Sequence, residues 1–161
     1  GFSSFTPLQM ANYIATLANG GTRYKPYLVK EIISPEGEVL VRFEPEIQAE
    51  VGLKPETVQA IHEGMNLVTK GEGTATSYFR GFPVQLAGKT GTSQNPHGAD
   101  HGWFVGFAPY ENPEIAVAVI VEQGGHGGSA AAPVARRIFE TYFQVDSPST
   151  NRPGQVPPSV D

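Results

Sequence analysis

The chain has 161 residues, 39% of them hydrophobic, enough for one domain or a large piece of one with a buried core. Its 11 basic and 16 acidic residues leave a formal charge of −5, which argues against nucleic acid as a partner, because phosphates demand concentrated Lys and Arg. Cysteine is absent, excluding disulfides, thiolate zinc sites and cysteine nucleophiles, and no apolar run approaches the roughly 20 residues that cross a bilayer.

Residues 6–18 read as the first helix. Thr6 suits the N-cap, Pro7 the first helical position, and Asn19-Gly20-Gly21 a stop. Its apolar residues form two stripes, Met10/Ile14/Leu17 and Leu8/Ala11/Ala15/Ala18, so burial on most sides is expected. Residues 24–43 turn extended, with a turn at Pro35-Glu36-Gly37 and a half-buried strand at Val39, Val41 and Phe43. An irregular hairpin follows from that pattern. A second helix is predicted over 54–69 from the spacing of Val58, Ile61, Met65 and Val68. After a glycine-punctuated loop at 71–81 come three strands, at 84–92, 103–107 and 115–122. Their short connections favour an antiparallel meander. The third strand is apolar on both faces and is expected at the centre of its sheet. A flexible glycine turn at 124–128 leads into a last helix ending near Phe143, with Val134, Ile138 and Phe139 on its buried face. Residues 145–161 carry four prolines and read as a tail. The fold class is α+β, helices packed on an antiparallel sheet.

Lys89-Thr90-Gly91-Thr92 stands at a strand end and has the chemistry of a carboxylate and oxyanion site. Gly91 admits a ligand close to the backbone, Thr90 and Thr92 offer hydroxyl donors, and Lys89 adds positive charge. A backbone N–H at Thr92 suits a developing oxyanion. Four residues alone favour an ordinary Thr-rich edge strand ending in a turn, since such tetrapeptides occur by chance.

The surroundings decide. Ala87-Gly88 before the motif and Ser93-Gln94 after it, Trp103-Phe104-Val105-Gly106-Phe107-Ala108-Pro109, and Pro113-Glu114-Ile115-Ala116-Val117 resemble the end of a penicillin-binding transpeptidase domain. So do Thr6-Pro7-Leu8-Gln9, Ala18-Asn19-Gly20-Gly21, Gly73-Thr74-Ala75 and Ala131-Ala132-Pro133-Val134-Ala135. The matches run in order from about residue 6 to 143 and resemble class B enzymes of the elongation type. The resemblance implies a fragment of the penicillin-binding and serine β-lactamase-like fold, with residues 1–144 the C-terminal segment of the transpeptidase domain. It implies an acyl-serine enzyme that crosslinks peptidoglycan stem peptides and is trapped by β-lactams. Lys89 would shape the field at the serine, Thr90, Gly91 and Thr92 would hold the donor carboxylate, and the Thr92 N–H would form half of an oxyanion hole. No cofactor is implied.

The family's Ser-x-x-Lys is missing: no serine here has a lysine three positions on. Ser149-Thr150-Asn151 has the form of the middle motif but follows the lysine motif instead of preceding it. Together with an opening Gly1 in place of methionine, this leads us to expect one wall of an active site, inactive alone, whose nucleophile, companion lysine and middle motif lie upstream. The expected partners are the remaining transpeptidase segment and the wall-elongation machinery. The expected location is the outer face of a bacterial cytoplasmic membrane, with an anchoring helix outside this sequence. In the family the third strand has a neighbour from the start of the domain. Its edge is therefore expected to be covered by a second copy, an upstream fragment, the tail or residues 24–43. Alternatives are a fragment of a β-lactam sensor or carboxypeptidase of the same fold, and a non-catalytic interaction module.

Other features carry less. His97, Asp100, His101 and His126 read as solvated loop residues rather than a metal site. The 124–128 glycines lack the Lys-Ser/Thr of a phosphate loop. Phe104 reads as core, and Trp103 stays open between core and a sugar-stacking role.

Overall fold

The computed structural model describes residues 4–145. Helix α1 (Pro7–Ala18) starts where the sequence places it. Thr6 Oγ1 accepts from the Gln9 N–H at 3.2 Å while the Thr6 N–H donates to Gln9 Oε1 at 2.8 Å, a reciprocal capping box. The helix ends at Asn19, whose side chain bonds the backbone of Gly21 and Thr22 as the chain turns through two glycines with positive φ. From Met10 on, α1 is enclosed on most sides: Ile14, Thr16 and Ala18 are buried, Met10, Ala11, Asn12, Ala15 and Leu17 half-buried, and Tyr13 exposed. The expected burial on most sides holds for residues 10–18 and fails in the first turn, where Leu8 is exposed.

Two small ribbons follow. Strand β1 (Thr22–Tyr24) pairs antiparallel with β4 (Ile47–Glu50), a pairing absent from the sequence reading. Between them β2 (Glu31–Ile33) and β3 (Val39–Arg42) form the expected irregular hairpin, with a register shift at Ile32/Ile33 and Gly37 at φ +90° in its turn. The expectation that Val39, Val41 and Phe43 are half-buried is wrong. All three are exposed, since the hairpin pairs with itself and lies on neither core.

Helix α2 (Pro55–Leu67) and the short α3 (Thr76–Phe79), the latter inside the stretch read as loop, lead to the main sheet. This is the predicted meander: β5 (Ala87–Ser93), β6 (His101–Ala108) and β7 (Ile115–Val121), antiparallel in the order β5-β6-β7. Residues 84–86 stay outside β5. Helix α4 (Gly127–Phe143) packs on one face with α3, around Phe79, Phe104, Val117, Val119 and Phe139. Helices α1 and α2 cover the other, around Ile14, Met65, Val105 and Phe107. Phe104 is core, as read.

Two further expectations are corrected. Strand β7 lies at the sheet's edge and not its centre, and residues 24–43 do not cover it; among the described residues no strand pairs with its outer side. Its two-faced apolar pattern reflects helices above and below, which says nothing of lateral neighbours. The buried face of α4 is Ala131, Ala132, Ala135, Phe139 and Glu140, while Val134 and Ile138 are exposed. Small residues let the helix sit close to the sheet, so alanine marks the inner face and the larger aliphatics fall outside it. The proposed tail, apart from Val145, lies outside the described residues.

Candidate active site

Strand β5 is the edge strand opposite β7, and its backbone alternation fixes which groups it offers. The Gln85 carbonyl accepts from the Tyr110 N–H at 2.8 Å, on the β6 side. The Leu86 carbonyl points the other way and accepts from Asn66 Nδ2 at 2.7 Å and Thr69 Oγ1 at 3.0 Å, both from the end of α2. Continuing that alternation pairs residues 87, 89, 91 and 93 with β6 and directs the N–H and C=O of 88, 90 and 92 to the outer edge. Consistent with this, Lys89 Nζ reaches round the edge to donate to the Thr90 carbonyl at 2.6 Å.

Side chains alternate between the faces as well. Lys89 and Gly91 stand opposite Val105 and Trp103 on the α1 side, and Thr90 and Thr92 opposite Phe104 and Gly102 on the α4 side. Lys89 and Thr92 are exposed, Thr90 and Gly91 half-buried. The Thr90 and Thr92 hydroxyls floor a hollow of about 630 Å³, walled by Thr74 and Tyr78 on one side and residues 126–129 on the other. A second hollow of about 480 Å³ opens on the α1 side, where Lys89 and Trp103 face Phe5 and Met10. Trp103 is half-buried there, on the same face as Gly91.

Both threonine hydroxyls are held from behind. Thr90 Oγ1 lies 2.9 Å from Thr74 Oγ1, and Thr92 Oγ1 accepts from the Gly127 N–H at 3.4 Å. The approach of α4 depends on glycine: a Cβ on Gly127 would collide with the carbonyl oxygens of Gly91 and Trp103. Gly102, beneath it, has no more room, since its Cβ would stand 3.0 Å from that of Ala130. The expected flexible turn at 124–128 is therefore half wrong. Gly125 sits in the left-handed region with open space around it, but Gly127 is buried and Gly128 lies in the first turn of the helix.

The site thus includes residues the sequence reading did not single out for it: Thr74, His126, Gly127 and Ser129. The one usable signal was Gly73-Thr74-Ala75, where Gly73 is forced by the carbonyls of Leu67 and Val68, which leave no space for a side chain. The loop polar residues are engaged locally. Asp100 accepts from the Asn95 N–H, His101 Nδ1 from the Gln123 N–H, and His126 is the N-cap residue of α4. Among the described residues no three His, Asp or Glu side chains lie together as a metal site. Ser93-Gln94-Asn95, a further Ser-x-Asn triplet, also follows the lysine motif, and its Asn95 side chain is tied to Ala99 and His97 within its own loop.

The family model described as penicillin binding protein transpeptidase domain matches residues 1–140. The peptidoglycan D,D-transpeptidase MrdA of Haemophilus influenzae is 35% identical over 94% of this chain and 26% of its own length. PbpA of Mycolicibacterium smegmatis, also a peptidoglycan D,D-transpeptidase, is 36% identical over 89% of this chain and 30% of its own. Among solved structures, penicillin-binding protein A of M. tuberculosis as an imipenem acyl-enzyme superposes with a TM-score of 0.77 at 31% identity, covering 89% of this chain and 32% of that one. Pseudomonas aeruginosa PBP2 in complex with WCK 5153 gives a TM-score of 0.77 at 38% identity, covering 92% and 32%. The chain spans about a quarter to a third of the length of these relatives. With the lysine motif on an open sheet edge between packed helices, the chain belongs to the penicillin-binding protein transpeptidase domain family, on its class B, PBP2-like side.

Proposed function

We propose that this segment is the lysine-motif wall of a peptidoglycan D,D-transpeptidase, working with a nucleophile-bearing segment supplied from elsewhere in the full protein. The observation that carries the reading is the convergence on one open strand edge of an outward Thr92 N–H, two hydroxyls and a lysine. In the reaction, a serine Oγ adds to the carbonyl of a stem-peptide D-alanyl-D-alanine, the terminal D-alanine leaves, and an amine of a neighbouring stem takes the acyl group. The Thr92 N–H stabilises the oxyanion, Thr90 and Thr92 bind the donor carboxylate, and Lys89 supplies a field that favours both anions. A β-lactam enters the same way, its carboxylate standing in for that of the donor. The relatives' names and their acyl-enzyme complexes support this reading. The substrate places the work at the outer face of the cytoplasmic membrane, beside the wall-elongation machinery. Among the described residues no helix is long and apolar enough to cross a membrane.

Fluorescent penicillin tests the reading. The isolated chain should remain unlabelled, since it has no Ser-x-x-Lys. In the full protein, Thr92→Val should slow labelling by about 10- to 100-fold, the scale of one hydrogen bond to a charged group, with a smaller loss of stability from the Gly127 N–H it leaves without its acceptor. Stoichiometric labelling of the isolated chain, or an unaltered rate in the variant, contradicts it.

A further inference from the structure

Thr90 and Thr92 can serve a carboxylate only if their protons point into the hollow, and the structure contains a device for that. A hydroxyl has one proton and two lone pairs, whereas a carboxylate only accepts. The Gly127 N–H can only donate, so its bond to Thr92 Oγ1 occupies a lone pair and leaves the Thr92 proton available for a ligand. At Thr90 the partner is another hydroxyl, Thr74 Oγ1 at 2.9 Å, and either atom can be the donor. Once a carboxylate takes the Thr90 proton, the choice vanishes: Thr74 must donate to Thr90.

Thr74 is held for this task by its own backbone. The Gly73 N–H donates to the Lys70 carbonyl at 2.9 Å and the Ala75 N–H to the Val68 carbonyl at 2.9 Å, pinning the loop against the end of α2 on either side of it. Across the hollow, a Cβ on Gly128 would come within 3.2 Å of the Thr74 carbonyl, so the loop and the start of α4 meet closely. Thr74 itself is exposed and contributes nothing to either core.

We propose that Thr74 is a positioning residue for carboxylate recognition, donating its hydroxyl proton to Thr90 Oγ1 so that Thr90 presents its own to the ligand carboxylate. This rests on the transpeptidase reading above. It predicts a hydroxyl relay in which the outer threonine never touches substrate yet sets the selectivity for a carboxylate-bearing donor.

The test uses the full-length protein and two acylating probes, benzylpenicillin and its methyl ester, which lacks the charged carboxylate. Thr74→Val should lower the acid-to-ester ratio of acylation rates by roughly tenfold. Thr74→Ser should restore the ratio, and in a Thr90→Val background Thr74→Val should have no further effect. The ratio is internal to each preparation, so loss of folded protein cancels; if valine proves disruptive, Thr74→Ala gives the same comparison. Equal slowing of both probes, or an unchanged ratio, overturns the relay and leaves Thr74 a structural residue. An unchanged ratio in Thr90→Val alone overturns the underlying site reading instead, so the two failures are distinguishable.

Discussion

At the scale of single residues, the site depends on places where a side chain is forbidden as much as on those where one is needed. Gly127 brings the start of α4 against the backbone of Gly91 and Trp103, and only there can its N–H reach Thr92. Gly127→Ala puts a methyl group into two carbonyl oxygens, neither of which is the end of a flexible side chain. In the full protein we expect a cost of about 2 kcal/mol, read by thermal melting, and slower penicillin acylation as α4 shifts away from Thr92. Gly125→Ala is the control. It has open space and carries only the backbone strain of φ +79°, so it should cost about 1 kcal/mol and leave acylation alone. If both variants lose stability and activity to the same extent, the close approach at Gly127 has no special role. The lysine motif was legible in the sequence because its four residues are contiguous and chemically distinctive. Its supports were not, because Thr74 meets Thr90 across 16 positions and Gly127 meets Thr92 across 35.

Among the elements, α4 shows best where pattern and structure part. Its buried stripe is largely alanine, because the helix lies so close to β5 and β6 that larger side chains fit only at its outer end, where Phe139 enters the core. Reading Val134 and Ile138 as buried followed hydrophobicity and missed proximity. Element boundaries fared better, since Thr6, Gln9 and Asn19 carry their capping chemistry in the local sequence. The same helix holds a polar anchor that no periodicity reveals. Buried Glu140 accepts from Arg136 Nε at 2.6 Å and from Arg137, and Arg136 also donates to the carbonyls of Tyr78 and Arg80 at the end of α3. Arg136→Met keeps most of the apolar stem but removes an ion pair to a buried carboxylate and two carbonyl partners. A loss of about 3 kcal/mol in urea unfolding is expected. A change below about 0.5 kcal/mol, the usual range of a surface substitution, would make the anchor incidental.

For the molecule as a whole, the unresolved tension is the sheet's second edge. In the function proposed above, β5 needs its edge open for a donor strand; β7 has no such reason. Its seven residues, Ile115–Val121, contain neither charge nor proline, and helices pack against both of its faces, leaving its outer edge without a strand. An apolar edge of this kind is a template for strand addition, which folded proteins normally cover or blunt. Among the described residues no strand pairs with it. We therefore expect the isolated chain to associate with rising concentration through β7, and the amides on the strand's outer side to gain protection from hydrogen exchange as it does. Ile120→Lys, a charge at the edge on the half-buried side toward α1, should weaken that association while leaving the amides paired with β6 protected. The exposed hairpin β2–β3 provides the competing explanation, with Ile32, Ile33 and Leu40 all open to solvent. Sedimentation of Leu40→Ser beside Ile120→Lys separates the two. If the hairpin variant dissolves the assemblies and the β7 variant does not, or if the chain stays monomeric at every attainable concentration, the free edge is not what governs how this segment finds a partner.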